Sequence, residues 1–394
     1  MQYLIKTLTF IIPSLGMIAG LSAASTIILF LVSLLSHLKN KLTFPMKNIK
    51  LELIFIFWCV LSCFWSPNPI ASLLMCLQVI PVIFLGLIVK KNINKLTFQE
   101  IRIESPLIWT LFVAISLFFI EYFSSGLISL TFRKIFQASS TKSFQLYDLD
   151  RGCALFSLVA WIVIGIFVSR KRYFLSYILY IFTLYMLSMS DSLATFLAFA
   201  VSGLIIIISK LVTLKFIKFV SFCLILGSLL MPIIAYKIEP RFIADNYSQY
   251  IPDSAKHRLF IWRFVSNKII EKPIFGSGFG SSKIISSNND QMIEYKGYHW
   301  SPLPLHPHNN IMQIFLETGL IGLLLFLALA YKFLKQIEFA ILDKKEFNFG
   351  LIAFACFINY YIIGMISFNI WQLWWVCTGI WSSIIIQCLR SKPL

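Results

Sequence analysis

Two residues fifty positions apart have the makings of acid–base and anion chemistry. His308 stands at the mouth of a long apolar run, followed by Asn309 and then by Gly319 and Gly322. An imidazole can take a proton near neutral pH, which suits a general base. Upstream, Arg258 precedes Trp262 by four residues. A guanidinium fork matches phosphate oxygens bidentately. Between them lies Pro273-Ile274-Phe275-Gly276-Ser277-Gly278-Phe279-Gly280. A proton acceptor and a fixed cation beside a membrane surface suit chemistry on an anionic, lipid-linked substrate. His308 and Arg258 are therefore the candidate catalytic pair, with Trp262, His306 and Asn309 as candidate substrate contacts.

Other residues compete for attention. Asp148-Leu149-Asp150-Arg151-Gly152 opens an apolar run. Two acids one residue apart can hold a diphosphate through a cation, or simply cap a helix start. Arg151 is electrostatically misplaced at a helix start and calls for an anionic partner, so it joins the candidate substrate-binding residues. Asp191 sits in Ser190-Asp191-Ser192 between two apolar runs. It reads equally as an intramembrane site residue or as a turn former. His299, His306 and His308 have only Glu294 as a nearby carboxylate and match no familiar zinc spacing. No metal and no cofactor is expected. The Gly276–Gly280 stretch lacks the strand before it and the Lys-Ser/Thr after it that a phosphate loop needs. It reads as a turn or as a place where backbone approaches a ligand. Trp371, Trp374 and Trp375 read as an aromatic belt at the membrane interface.

Those residues must be positioned by membrane-embedded elements. The chain has 394 residues, of which 58% are hydrophobic and only 13% charged, about half the charge of soluble domains. The composition predicts an all-α polytopic membrane protein. Twelve spans are expected: 5–19, 22–36, 50–65, 70–89, 106–124, 152–168, 173–190, 193–209, 215–236, 308–331, 349–368 and 370–388. The first is read as an uncleaved span rather than a signal peptide. The eight cysteines all fall in or at the edges of apolar runs without a Cys-x-x-Cys pair. They read as small apolar residues.

The net charge is +17, but its distribution argues against nucleic acid. Of the 34 basic residues, 21 cluster on one side of the expected spans, in Lys6, Lys39/Lys41/Lys47/Lys50, Lys90/Lys91/Lys95/Arg102, Arg170/Lys171/Arg172, Lys210/Lys215/Lys218, Lys332/Lys335/Lys344/Lys345 and Arg390/Lys392. The positive-inside rule makes that side cytoplasmic, together with both termini. The other 13 lie in segments 125–151 and 237–307, which then face outward. Basic outward loops run against the topological bias and point to anionic ligands. Segments 1–394 form one integral membrane domain in this reading, with 237–307 as a large periplasmic loop within it. That loop is too long for a turn. Within it, Ser254 can cap a helix, and Leu259, Trp262, Val265 and Ile269 recur at helical spacing until Pro273. An amphipathic helix on the outer face is expected, with Arg258 off its apolar stripe.

Arg258 with Trp262, then Pro273-x-x-Gly276-x-Gly278, then His308-Asn309 and, nine residues on, Gly319 together resemble the signature of the O-antigen ligase and polymerase superfamily. The motif covers about 258–330. Trp65-Ser66-Pro67-Asn68-Pro69 and Trp371-Gln372-Leu373-Trp374-Trp375 are also similar to members, and the His-Asn element leans toward ligases. The resemblance implies a C-type (GT-C-like) glycosyltransferase of the bacterial inner membrane that works at the periplasmic face without metal. It implies an undecaprenyl diphosphate-linked glycan as donor and a lipid A–core acceptor, with membrane lipid as surroundings and no nucleic acid. His308 would be the essential histidine and Arg258 the diphosphate-binding arginine. The family often carries a second arginine in an outer Ser-Arg turn; here that turn reads Ser190-Asp191, so Arg151 could supply the charge instead. A polymerase of the same superfamily, and a transporter of lipid-linked glycan, are the alternatives.

Overall fold

The computed structural model describes residues 2–38, 42, 49–93, 103–136, 143–212, 214–287, 292–343 and 346–390. In chain order the helices begin with α1 (Gln2–Ile18), α2 (Ala23–His37), α3 (Lys50–Ser62), α4 (Pro69–Asn92) and α5 (Glu104–Phe123). They continue with α6 (Leu127–Phe136), α7 (Asp150–Ser169), α8 (Tyr173–Ser188), α9 (Leu193–Val212) and α10 (Leu214–Lys237). Next come the short α11 (Pro240–Asn246), α12 (Asp253–Glu271) and α13 (Ser281–Ser287). A ribbon of β1 (Ile293–Tyr295) and β2 (Tyr298–Trp300) follows, and α14 (Asn310–Leu342), α15 (Phe347–Ile366) and α16 (Leu373–Arg390) close the chain.

Each of the twelve expected spans coincides with one of these helices. Among the described residues, six are long and apolar enough by themselves to cross a membrane, and four more are apolar but shorter. The chain is an all-α polytopic membrane protein. One span differs clearly from expectation at its end. α14 runs on to Leu342, so Lys332 and Lys335 lie on its last turns and pair with Glu52 and Glu338 rather than sitting in a loop. Of the expected basic clusters, Lys39, Lys41, Lys47, Lys95, Arg102, Lys344, Lys345 and Lys392 lie outside the described residues, as does the side chain of Lys210.

α7 is the hub. Its residues from Gly152 to Ile166 are all buried, which is what an all-round apolar helix requires. It packs against α1, α5, α8 and α15. A Cβ on Gly152 would stand 2.3 Å from the Met17 carbonyl oxygen, so glycine lets α7 begin in contact with the end of α1. α1 is itself an integral part of the bundle. Ile5 and Ile12 are fully buried, and Ser14 Oγ and Thr110 Oγ1 share a 2.8 Å hydrogen bond across to α5.

The tryptophans expected to form an interfacial belt are buried instead: Trp371, Trp374 and Trp375 are at most 5% exposed. Two of the three indole N–H groups have inward partners, and the buried Trp375 Nε1 has none among the described residues. Trp371 Nε1 donates to Glu317, and Trp374 Nε1 to Gln372. The cysteines are all free, and seven of the eight are buried.

The segment between α10 and α14 holds the expected helix as α12, together with α11, α13 and the ribbon, which the sequence did not signal. α12 packs against α10 and the start of α14. Its buried stripe is Ile261, Val265 and Ile269, which meet Ala235, Leu303, Met312 and Leu316. Ser254 does not cap it: the helix begins at Asp253, with Pro252 before it and no side-chain cap.

Candidate active site

The site is built where the start of α14 meets α12 and the α15–α16 turn. His308 precedes α14 in a left-handed backbone conformation, φ 52°. Non-glycine residues in that region store strain of about 1–3 kcal/mol and persist only where the surroundings hold them. Three contacts hold this one. The His308 N–H donates to His306 Nδ1 at 3.1 Å. Trp262 Nε1 donates to the Pro307 carbonyl at 3.0 Å. His308 Nδ1 lies 2.9 Å from the Ser367 carbonyl.

The last contact fixes the tautomer. A carbonyl oxygen only accepts, so Nδ1 carries the proton and Nε2 presents a free lone pair. Ser367 is held in place in its turn: its N–H donates to Ile363, and the following Asn369 and Ile370 are tied to Gln313 on α14. By the same logic His306, whose Nδ1 accepts, carries its proton on Nε2. The two rings lie 4.2 Å apart between centroids.

Burial pushes the His308 imidazole down to about 4; the Ser367 carbonyl opposes that and the Arg258 charge adds to it. Burial, and then the charges of His308 and Arg258, push His306 down to about 3. Both rings are neutral at physiological pH. The Arg258 charge acts on both imidazoles.

Arg258 is half-buried one turn before Trp262 on α12. Its Nη1 donates to the Ser254 carbonyl at 3.1 Å, and its buried Nε has no partner. Among the described residues no carboxylate forms a salt bridge with it. Burial lowers its pKa, and the nearby Asp150 carboxylate partly offsets that. Asp150 also feels Arg151 and Asp191, so the starts of α7 and α9 converge on the same region. Arg151 packs its stem on Gly20, and among the described residues its guanidinium makes no hydrogen bond or ion pair. Asp191 is exposed in the α8–α9 turn.

Three candidates have their polar groups occupied elsewhere. Asn309, expected at the substrate, is the N-cap of α14. Its Oδ1 accepts from the Ile311 and Met312 N–H groups at 3.0 Å each, and it is 1% exposed. Capping satisfies donors that the helix leaves orphaned, and that outranks an outward role. Asp148 forms a 2.6 Å ion pair with Arg133 and accepts from the Gln145 N–H, so the Asp-x-Asp pattern is not free for a cation. Among the described residues no group of three or more His, Cys, Asp or Glu converges. Trp262 has its indole N–H committed to Pro307.

The glycines explain how α14 is anchored. The helix breaks at Gly319, φ 67° and ψ −171°. The loop 273–278 fills the break. Ser277 and Gly278 N–H groups donate to the Leu316 and Glu317 carbonyls at 2.8 and 2.7 Å, and Leu320 N–H donates to Pro273. Trp58 Nε1 takes the Thr318 carbonyl at 2.8 Å. Broken helices are tolerated in a membrane only where the freed backbone is re-satisfied in this way. A Cβ on Gly276 would stand 2.4 Å from Gly319 N, and one on Gly319 would stand 2.1 Å from the Ile274 carbonyl oxygen, so neither position admits a side chain.

Glu317, fully buried two residues before the break, ties the assembly together. Its carboxylate accepts from the Gly280 N–H (2.8 Å), Ser282 Oγ (2.6 Å), Gln313 Nε2 (3.0 Å) and Trp371 Nε1 (2.6 Å).

Sequence reading missed the carbonyls of Ser367 and Pro307, because any residue can supply a carbonyl. It also missed Trp58 and His257. The latter stacks on Trp300 at 5.0 Å and points Nε2 at the Ser301 carbonyl.

Residues 177–327, which hold Arg258, Trp262, both glycines and His308, match a family model described as O-Antigen ligase. Over its whole length the chain is 47% identical to a protein named "Putative polysaccharide ligase" from Rickettsia felis, covering 98% of that relative. The chain belongs to the O-antigen ligase family. Similarly named relatives from Rickettsia conorii and Rickettsia typhi are 46% and 47% identical, again over the whole chain and 98% of each. The family match stops short of Arg151, which lies outside 177–327.

Proposed function

We propose that the chain is an O-antigen ligase that moves a glycan from undecaprenyl diphosphate to a lipid A–core acceptor, in a single inverting displacement at the periplasmic face of the inner membrane. The observation that carries this is the His308 tautomer. With Nδ1–H donated to Ser367, the free Nε2 is a proton acceptor that feels the Arg258 charge.

Nε2 takes the proton of an acceptor sugar hydroxyl as that oxygen attacks the anomeric carbon. The glycosidic bond to phosphate breaks, and its electrons leave on undecaprenyl diphosphate. Arg258 and Arg151 neutralise that developing charge, the role in which preorganised donors have the largest effect. His306, with its proton on Nε2, supplies a neutral donor next to the base. Anchoring both substrates in one membrane supplies proximity. Arrival of an anionic diphosphate next to His308 raises its proton affinity from the depressed value of the free site.

A transporter is less well supported. Transporter sites use broken helices that line a cavity and buried charges that bind ions. Here the break in α14 is filled by loop 273–278, and the Glu317 carboxylate is saturated with donors.

The test is transfer in reconstituted vesicles with defined lipid-linked donor and lipid A–core. Capped core formed without any ion gradient supports ligation. Chains that lengthen on the lipid carrier while core stays bare support a polymerase, and activity that needs a gradient supports transport.

A further inference from the structure

Two adjoining cavities of about 410 and 620 Å³ lie among α3, α4, α14, α15 and α16, and the second opens at the end of the bundle opposite His308. Each is in the size range of ligand pockets. The first is lined almost wholly by apolar side chains, among them Phe55, Leu87, Phe326 and Phe357, and reaches Asn310 and Trp371 at its far end. The second is lined by Lys90, Lys91, Lys332 and Arg390, with Glu52 as its one carboxylate. Leu87, Lys90, Leu329, Phe333 and Ile386 line both, so an apolar slot opens onto a basic mouth.

The charges at the mouth are incompletely matched. Lys332 pairs with Glu52 at 2.8 Å, and Arg390 pairs with Glu346 while its buried Nε has no partner. Among the described residues the Lys90 ammonium has no hydrogen bond and no salt bridge, and Glu52, the carboxylate nearest in charge, is paired with Lys332; Lys90 stands 4.5 Å from the centre of the Phe333 ring. Lys91 is exposed beside it. Two cations are therefore left over next to an apolar slot, at the side that the positive-inside rule makes cytoplasmic.

We propose that this is a binding site for an anionic glycerophospholipid of the cytoplasmic leaflet, with its headgroup phosphate at Lys90 and Lys91 and an acyl chain in the apolar slot. Basic pockets between helices on that side are suited to acidic headgroups. A zwitterionic lipid would leave the excess positive charge uncompensated. A free phosphate would leave the slot unfilled. The basic mouth lies at the opposite end of α14 from His308, and the proposal does not rest on the proposed reaction.

Native mass spectrometry of the purified full chain tests this, with phosphatidylglycerol, phosphatidylethanolamine or undecaprenyl phosphate added to the detergent. Wild type should retain phosphatidylglycerol about tenfold better than phosphatidylethanolamine. A Lys90→Gln/Lys91→Gln variant should lose about tenfold or more of that retention, while eluting as the same monodisperse species with unchanged helical content. Millimolar inorganic phosphate should not compete. Equal retention of the two phospholipids, or full retention by a well-folded double variant, would overturn the proposal. So would preferential retention of undecaprenyl phosphate, or displacement by inorganic phosphate.

Discussion

Trp262 donates its indole N–H to the carbonyl of Pro307, the residue immediately before His308, at 3.0 Å. One turn earlier on the same helix stands Arg258. That single bond sets the spacing between the cation and the imidazole. Trp262→Phe keeps a ring in the packing but removes the bond, which costs about 1 kcal/mol of stability. We expect kcat to fall roughly ten- to a hundredfold through misplacement of the base, with KM little changed. Steady-state transfer kinetics check this; an unchanged kcat would remove the positioning role.

The meeting of Gly276 and Gly319 is a stability feature. Gly276→Ala forces a Cβ to 2.4 Å from the Gly319 nitrogen at φ 71°. We expect a loss of about 2–4 kcal/mol, read as a lower unfolding temperature in detergent and reduced yield. Wild-type thermal stability in this variant would mean that loop 273–278 does not sit in the break of α14.

Glu317 braces rather than reacts. Glu317→Gln places an amide NH₂ among groups that are all donors, which costs about 1–3 kcal/mol for the unsatisfied groups. The variant should unfold at lower temperature yet retain transfer activity when assayed cold. Full stability with abolished transfer would point to a direct role in the chemistry.

The pH profile follows from the depressed imidazole. The active form is neutral, and burial lowers the His308 pKa to about 4. The base form therefore persists as pH falls through 6.5 and is lost only around pH 4. For the free enzyme, kcat/KM should stay level from neutrality to about pH 5, then fall. The acid limb of kcat should lie higher, because bound diphosphate favours the imidazolium. An acid limb of kcat/KM near 6.5 would contradict the buried site.

Much of the fold was legible because membrane spans announce themselves by length and apolarity, and all twelve expected spans have a helix. The same signal misplaced the tryptophans at 371–375: an interfacial belt and a buried cluster have the same residue types, and only packing tells them apart. Arg258, Trp262 and His308 stood out in the sequence by residue type and spacing. The contacts that arrange them were not, since they run through the carbonyls of Pro307, Ser367 and Ser254. The glycines were visible as a pattern but misread in purpose. What looked like a flexible turn is a backbone plug in a broken helix. Asn309 was drawn to the substrate by its neighbour, whereas its place before an apolar run is that of a helix cap.

The proposed reaction depends most on His308 Nε2 as the proton acceptor. The most direct measurement is the single-turnover rate of glycan transfer by His308→Ala, reconstituted at matched protein amount with defined donor and acceptor. We predict a rate at least about a hundredfold below wild type, with donor binding retained through Arg258. A rate within about threefold of wild type would show that the proton goes elsewhere.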